Sequence, residues 1–355
     1  MKTWILLLLI GPVCCLASGS VYSPPDSCQG RCNEKYNPRD MCHCNSKCEK
    51  HRNCCEDYHI RCRKGGNEVG TGSAEGFSSS EDAITNEDLQ KVSEQLHKSD
   101  SNRAAESDIT LNKQHLASNN NNQDDESSEP LFTYVNQEKL FSKPTYASFI
   151  KLLDNYHKKV GQGEKLTAEQ LKEQDTFLEE IMKTEVMKGL YQFLHKKNHY
   201  GTEAEFVADL KEMWFGLYSR SNDEDSSGFE HVFIGEIKKG KVAGFHNWIH
   251  FYLMEKQGLV NYFSYSYDGP WTSYPDVLSL QFSWDGFYKK VGTAIIGSSP
   301  EFEFGLYSLC FIARPGKVCR LKIGGHDLGI QTYTWDKSTY GQGKRYIATA
   351  YVVSL

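Results

Sequence analysis

The 355-residue chain has no Asn-x-Ser/Thr triplet, so N-linked sugar is not expected. It has only one strongly apolar run, inside the first nineteen residues, MKTWILLLLIGPVCCLASG. A helix crossing a bilayer needs about 20 apolar residues. This run is shorter, starts basic and ends in small residues, so it reads as a secretory leader. The formal charge is −6, which excludes a strongly basic nucleic-acid coat protein but leaves room for a local basic cleft. No G-x-S-x-G elbow occurs, so a serine hydrolase of that type is excluded. His246 and His250 are four apart on an expected helix, but a zincin needs H-E-x-x-H and Asn247 stands where the glutamate should be. Cysteine is scarce over most of the chain. Beyond residue 62 only Cys310 and Cys319 occur, neither close in sequence to a histidine that would make it a thiol nucleophile.

The rest of the cysteine is concentrated. Cys14 and Cys15 leave with the expected leader. Cys28, Cys32, Cys42, Cys44, Cys48, Cys54, Cys55 and Cys62 follow in the spacing C-x3-C-x9-C-x-C-x3-C-x5-C-C-x6-C. Paired C-x-x-C knuckles, which zinc ribbons require, are missing. In an exported chain the pattern implies four disulfides, because so short a segment cannot be stabilised by apolar burial alone. Cys310 and Cys319 flank the turn signal ARPGK and are expected to bond across a hairpin.

Residues 65–81 are rich in Gly and Ser and read as a flexible linker. Leu89, Val92 and Leu96 in NEDLQKVSEQLHK recur at helical spacing. SNNNNQDDESSEP (118–130) reads as a polar surface loop. Residues 145–199 are helical in pattern, and Thr167 with Gln170 forms a capping box. From 229 the texture changes. HVFIGEI alternates as a strand would, KKGK supplies a turn, and NWIHFYLMEKQG reads as a helix closed by Gly258. LSLQFSW, GTAIIG, FEFGLYSLCFI, CRLKIG, IQTYTW and YIATAYVVSL are strand candidates. The fold class is therefore α+β: a small disulfide knot, then helices followed by mostly antiparallel sheet. Residues 82–355 suit one composite domain.

Several residues read as structural. His195 and His199 sit on a polar helix end. NDEDSS (222–227) reads as a solvated acidic loop, with a divalent cation as the alternative. His231 in FEHVFIGE and His246 in GFHNW stand fifteen residues apart on different elements, and two imidazoles brought to one place suit paired proton transfer.

Two resemblances add to this reading. The cysteine spacing, with CCEDYHIRC, resembles the somatomedin B domain over residues 24–64, which implies a disulfide knot that binds proteins. FEHVFIGE, GFHNWIHFYLMEK and WDGFYKKVGTAIIGSSPEFE closely resemble the EndoU family of poly(U)-preferring endoribonucleases over residues 82–355. The second resemblance implies a secreted endoribonuclease that cuts single-stranded RNA at uridines through the substrate's 2′-hydroxyl, leaving a 2′,3′-cyclic phosphate and a 5′-hydroxyl. It implies His246 as general base, His231 as general acid and Lys289 as the phosphate-stabilising cation. Strand period and spacing alone leave Lys290 open for the last role. Glu230 and Glu236 are implied as supporting acids, with salt bridges to Lys238, Lys239 or Lys241 as the alternative. Thr349 and Tyr351, on one face of a strand, are implied to read and flank the uracil. Manganese dependence is implied, with no ligand set in the sequence to place the ion. Single-stranded uridine-containing RNA and a protein bound by the knot are the expected partners. No membrane association is expected, and the chain is expected to be a monomer. A secreted, matricellular binding protein with an inactive catalytic scaffold is the competing reading.

Overall fold

The computed structural model describes residues 28, 32–37, 40, 42–51, 53–55, 58, 62, 84–117, 124–221 and 224–353. The expected leader (1–19) and linker (65–81) lie outside them. The chain divides into two compact units, Met1–Ala74 and Glu75–Leu355. Among the described residues no helix is long and apolar enough to cross a membrane.

The first unit is held by covalent bonds more than by a core. Cys28–Cys44, Cys32–Cys62, Cys42–Cys55 and Cys48–Cys54 are the pairs. Their buried sulfurs, with Tyr58, form its small apolar cluster. Among its described residues, Cys48–His51 forms one helical turn.

The second unit starts with helix α1 (Asn86–Ser99). Thr85 caps it through the Asp88 N–H, and Asp88 returns the bond to the Thr85 N–H, a reciprocal cap that satisfies two otherwise orphan donors. A hairpin of β1 (Ile109–Leu111) and β2 (Phe132–Val135) follows. Five helices then build the first lobe: α2 (Gln137–Phe141), α3 (Pro144–Lys151), α4 (Ala168–Met182), α5 (Glu185–Lys196) and α6 (Glu203–Phe215). Thr167 and Gln170 form the expected capping box at α4.

The second lobe holds β3 (Glu236–Lys238), β4 (Lys241–Ala243) and α7 (Trp248–Lys256). The antiparallel sheet β5 (Val260–Asp268), β6 (Asp276–Trp284) and β7 (Phe287–Ile296) comes next. After α8 (Pro300–Ala313), a second antiparallel sheet closes the chain with β8 (Val318–Ile323), β9 (His326–Tyr340) and β10 (Lys344–Val353). The class is α+β. As expected, α7 ends at Gly258: its N–H reaches the Glu255 carbonyl and the Leu259 N–H reaches Met254, a closure that needs the left-handed backbone Gly258 supplies at φ +72°.

Three expectations are corrected. FEFGLYSLCFI is not a strand but most of helix α8, which is buried around nearly its whole circumference. A helix surrounded by protein has no polar face, so its apolar run carries no 3.6-residue stripe and looks like a buried strand. The start signals decide it: Ser299 accepts from the Phe302 N–H and Pro300 fills the first turn. Cys310 and Cys319 are bonded, but they join α8 to β8 rather than two strands of a hairpin. HVFIGEI is not one strand either. Glu230–Ile234 is a single π-helical turn, closed by the Gly235 N–H to the Glu230 carbonyl at 2.7 Å. All five of its residues are buried, so its alternation of residue types does not mark two faces.

Candidate active site

The β3–β4 hairpin returns the chain toward the π-turn, and backbone bonds fasten the two segments together. The Phe245 N–H donates to the His231 carbonyl at 3.0 Å and the His246 N–H to the Val232 carbonyl at 2.8 Å. Gly244 makes this approach possible. A Cβ there would stand 1.7 Å from the His231 carbonyl oxygen, and its φ is +65°, so both space and conformation demand glycine. Two histidines fifteen residues apart thus reach one cleft of about 620 Å³.

His231 meets Glu236 at 2.6 Å through Nδ1. Glu236 is held in turn by the Ser226 hydroxyl and by Arg220 Nε at 3.2 Å. Burial works to raise the Glu236 carboxyl, but His231, Arg220 and Ser226 outweigh it and hold it below the usual range. Glu236 is therefore an anion and an acceptor, so Nδ1 of His231 carries a proton and Nε2 is left for the cleft. Burial and Arg220 lower the His231 pKa, against the opposing pull of Glu236.

His246 has the same arrangement with a neutral acceptor. Its Nδ1 meets the Thr293 carbonyl at 3.1 Å. A carbonyl only accepts, so in the neutral ring Nδ1 is the protonated nitrogen and Nε2 holds the lone pair. Burial, then the charge of Lys289 and the nearness of His231, press its pKa well below 6.5. The ring stacks on Tyr351 at 5.3 Å and 18°.

Lys289 lines the same cleft and donates to the Gly244 carbonyl at 2.6 Å. Burial lowers it to about 8, so it remains a cation at neutral pH. Lys290 is exposed and outside the cleft. A bulge aims the strand here: Leu280 pairs Gly292 while Phe282 pairs Lys289, so β7 carries one extra residue. Thr349 and Tyr351, on β10, line the same cleft.

Glu230 is not brought to the cleft. It is fully buried with neither carboxylate oxygen hydrogen-bonded. Burial, with Glu236 and Glu164 nearby, pushes it up to about 10, so it is a neutral acid behind the His231 turn. Glu236 turns to His231 and Arg220 rather than to Lys238, Lys239 or Lys241. The acidic segment NDEDSS is corrected too. Asn222 and Asp223 lie outside the described residues, but Asp225, Ser226 and Ser227 are buried. Asp225 accepts from the Gly161 and Arg220 N–H groups, so this end of the segment is a structural knot behind Glu236. His195 binds the Tyr200 carbonyl through Nδ1. His199 lines a separate pocket beside Lys344. His250 packs between Phe245 and Trp284, and burial takes it down to about 3; it is core, not a partner of His246.

Sequence reasoning missed Thr293, Ser279, Ser266 and Tyr267, all of which line the cleft. Thr293 was within reach, because it lies two strand periods from Lys289. It holds His246 through its carbonyl and β10 through its hydroxyl, which donates to the Val352 carbonyl at 3.1 Å. Among the described residues no carboxylate lines the cleft, and a lysine cation does. That donor set suits an anion and not a resident divalent metal, which prefers clustered oxygens.

Two imidazoles and a lysine cation thus line one cleft. Residues 88–352 match the profile described as Endoribonuclease XendoU, and residues 26–65 match the Somatomedin B domain. A uridylate-specific endoribonuclease of Bos taurus is 63% identical over 340 residues, covering 95% of this chain and 80% of that protein. The Homo sapiens protein of the same name is 62% identical with the same coverage. The solved structure of XendoU, described as a splicing-independent snoRNA-processing endoribonuclease, superposes with a TM-score of 0.61 at 39% identity, covering 75% of this chain and 97% of that one. The chain belongs to the XendoU endoribonuclease family.

Proposed function

We propose that the protein is a secreted endoribonuclease that cuts single-stranded RNA on the 3′ side of uridines by transphosphorylation. One observation carries the reading. Both imidazoles tie Nδ1 to an acceptor, which leaves Nε2 of each for a cleft that also holds Lys289.

His246 is the base. Its lowered pKa keeps Nε2 unprotonated, ready to take the 2′-hydroxyl proton as that oxygen attacks phosphorus. His231 is the acid. The arriving phosphate anion favours its protonated form, as does Glu236, and it donates to the departing 5′-oxygen. Lys289 faces the phosphorane oxygens where charge accumulates. Thr349 offers a hydroxyl to the uracil edge, and Tyr351 supplies an aromatic wall beside it. Stacking with edge hydrogen bonds is the usual way single-stranded RNA is read. The names of the relatives support the preference for uridylate, and the disulfide knot supports an extracellular place.

Manganese dependence belongs to this reading, but the cleft does not fit a resident ion. No step is derived through one, and manganese is read as a companion of the RNA phosphates.

The test is a single-stranded oligonucleotide with one uridine, incubated with the purified protein with and without manganese. Cleavage after the uridine, with a 2′,3′-cyclic phosphate upstream and a 5′-hydroxyl downstream, is expected. A 5′-phosphate on the downstream product overturns the mechanism, because water and not the 2′-hydroxyl would have attacked.

A further inference from the structure

Outside the cleft, the knot brings together three metal-ligating side chains. Glu34, Asp40 and His43 each place one ligand atom within 4.8 Å of the others. Cys28, Cys44 and Cys55 also converge, but their sulfurs are committed to disulfides and are not ligands.

The histidine is the informative member. His43 is 4% exposed, and its Nδ1 is buried without a hydrogen-bond partner. An unsatisfied buried ring nitrogen costs about 1–3 kcal/mol. A cation bound at that nitrogen would offset the cost, and the two carboxylates beside the ring are what it would share.

The scaffold is rigid where it matters. Cys42 and Cys44 flank His43, and their disulfides run to Cys55 and Cys28. The backbone is pinned as well, with the His43 N–H to the Asn53 carbonyl at 2.8 Å and the Cys55 N–H to the His43 carbonyl at 3.1 Å. The Tyr36 ring lies 4.6 Å from the imidazole. Glu34 accepts the Cys44 N–H at 2.8 Å, and Asp40 accepts the Asn37 side-chain amide at 2.8 Å. Each ligand is thus oriented before any ion arrives, which reduces the ordering cost of binding.

We propose that Glu34, Asp40 and His43 form a divalent metal site in the knot, with zinc as the ion that fits best. An imidazole with two carboxylates is a borderline-soft set that suits zinc better than calcium or magnesium, which take oxygen alone. Three protein ligands leave a fourth position for water or for a donor group of a bound protein. The site is separate from RNA cleavage and stands whether or not the reading of the cleft is right.

The experiment uses the full chain, freed of metal with a chelator and titrated with zinc in a calorimeter. Asp40→Asn and His43→Gln are run in parallel, and disulfide mapping reports whether each variant folds. Cobalt serves as a spectroscopic stand-in, because its visible band reports coordination number. The unaltered chain is expected to bind one more equivalent of zinc than either variant. Cleavage of the uridine oligonucleotide in manganese is expected to be the same in all three. If His43→Gln scrambles the disulfides, Asp40→Asn alone decides. Equal zinc stoichiometry in the unaltered chain and Asp40→Asn overturns the proposal, as does a cobalt spectrum unchanged by that substitution.

Discussion

His246 and His231 look alike in sequence, but their acceptors differ. A neutral carbonyl holds one, and the Glu236 anion holds the other. Replacing His246, His231 or Lys289 with Ala is expected to lower cleavage roughly a hundredfold or more, while circular dichroism stays unchanged. Lys290→Ala is expected to do far less. A substrate with a nitrophenolate leaving group separates the two histidines, because that group departs with little protonation. On it His231→Ala is expected to recover part of its rate and His246→Ala none. Equal loss for both variants on both substrates would falsify the assignment. The His231→Ala rate on that substrate also gives the pH dependence of the remaining groups. The base works unprotonated, so the rate should rise with pH through the pKa of His246, which lies below 6.5. It should fall again as Lys289 loses its charge near pH 8. A rising limb centred above 6.5 counts against His246 as the base.

At the scale of elements, α8 braces the site without entering it. Its Glu303 accepts the side-chain amide of Asn247 at 2.9 Å, and the other end of Asn247 caps α7 through the His250 N–H at 2.9 Å. Asn247 follows His246 directly. Burial pushes Glu303 up to about 8, so between about pH 4.5 and 8 the folded protein keeps a proton that the unfolded chain releases. The unfolded state then binds fewer protons, and stability falls as pH rises across that window. Glu303→Gln removes the effect. Its melting temperature relative to the parent is expected to climb from pH 5 to 8 and level off above. A gap that is flat with pH means Glu303 is already ionised in the fold. The Cys310–Cys319 bond ties the far end of α8 to β8. It closes a short loop, so Cys310→Ala with Cys319→Ala is expected to cost about 2–3 kcal/mol in denaturant unfolding. An unchanged midpoint would show that the bond adds nothing to the packing around it.

For the molecule as a whole, the division at Ala74/Glu75 separates a covalently stapled unit from one with an extensive apolar core. Every side chain assigned to the cleft belongs to the second unit. A chain beginning near Glu81 is therefore expected to fold and to cut the uridine oligonucleotide at the parent's rate. If that shortened chain folds but does not cut, the knot takes part in catalysis.

Covalent pattern and local chemistry were legible in the sequence. The knot's cysteine spacing, the capping box at Thr167, Gly258 and the strands from β6 to β10 are set by near neighbours along the chain, while His231, His246, Lys289, Thr349 and Tyr351 were singled out through the motifs shared with the EndoU family. What the sequence concealed depends on burial from all sides. α8 and the π-turn are enclosed, so no polar face marks their period, and Asp225 is acidic yet buried because backbone N–H groups of Gly161 and of the nearby Arg220 meet it. Glu230 sits in the π-turn with no hydrogen-bond partner for its carboxylate, while Glu236, on β3, meets His231 and Arg220. No spacing encodes that difference. Strand period by itself left Lys290 open beside Lys289; the fold buries Lys289 in the cleft and exposes Lys290, and His43 became a ligand candidate only when the fold of the knot set its ring beside Glu34 and Asp40.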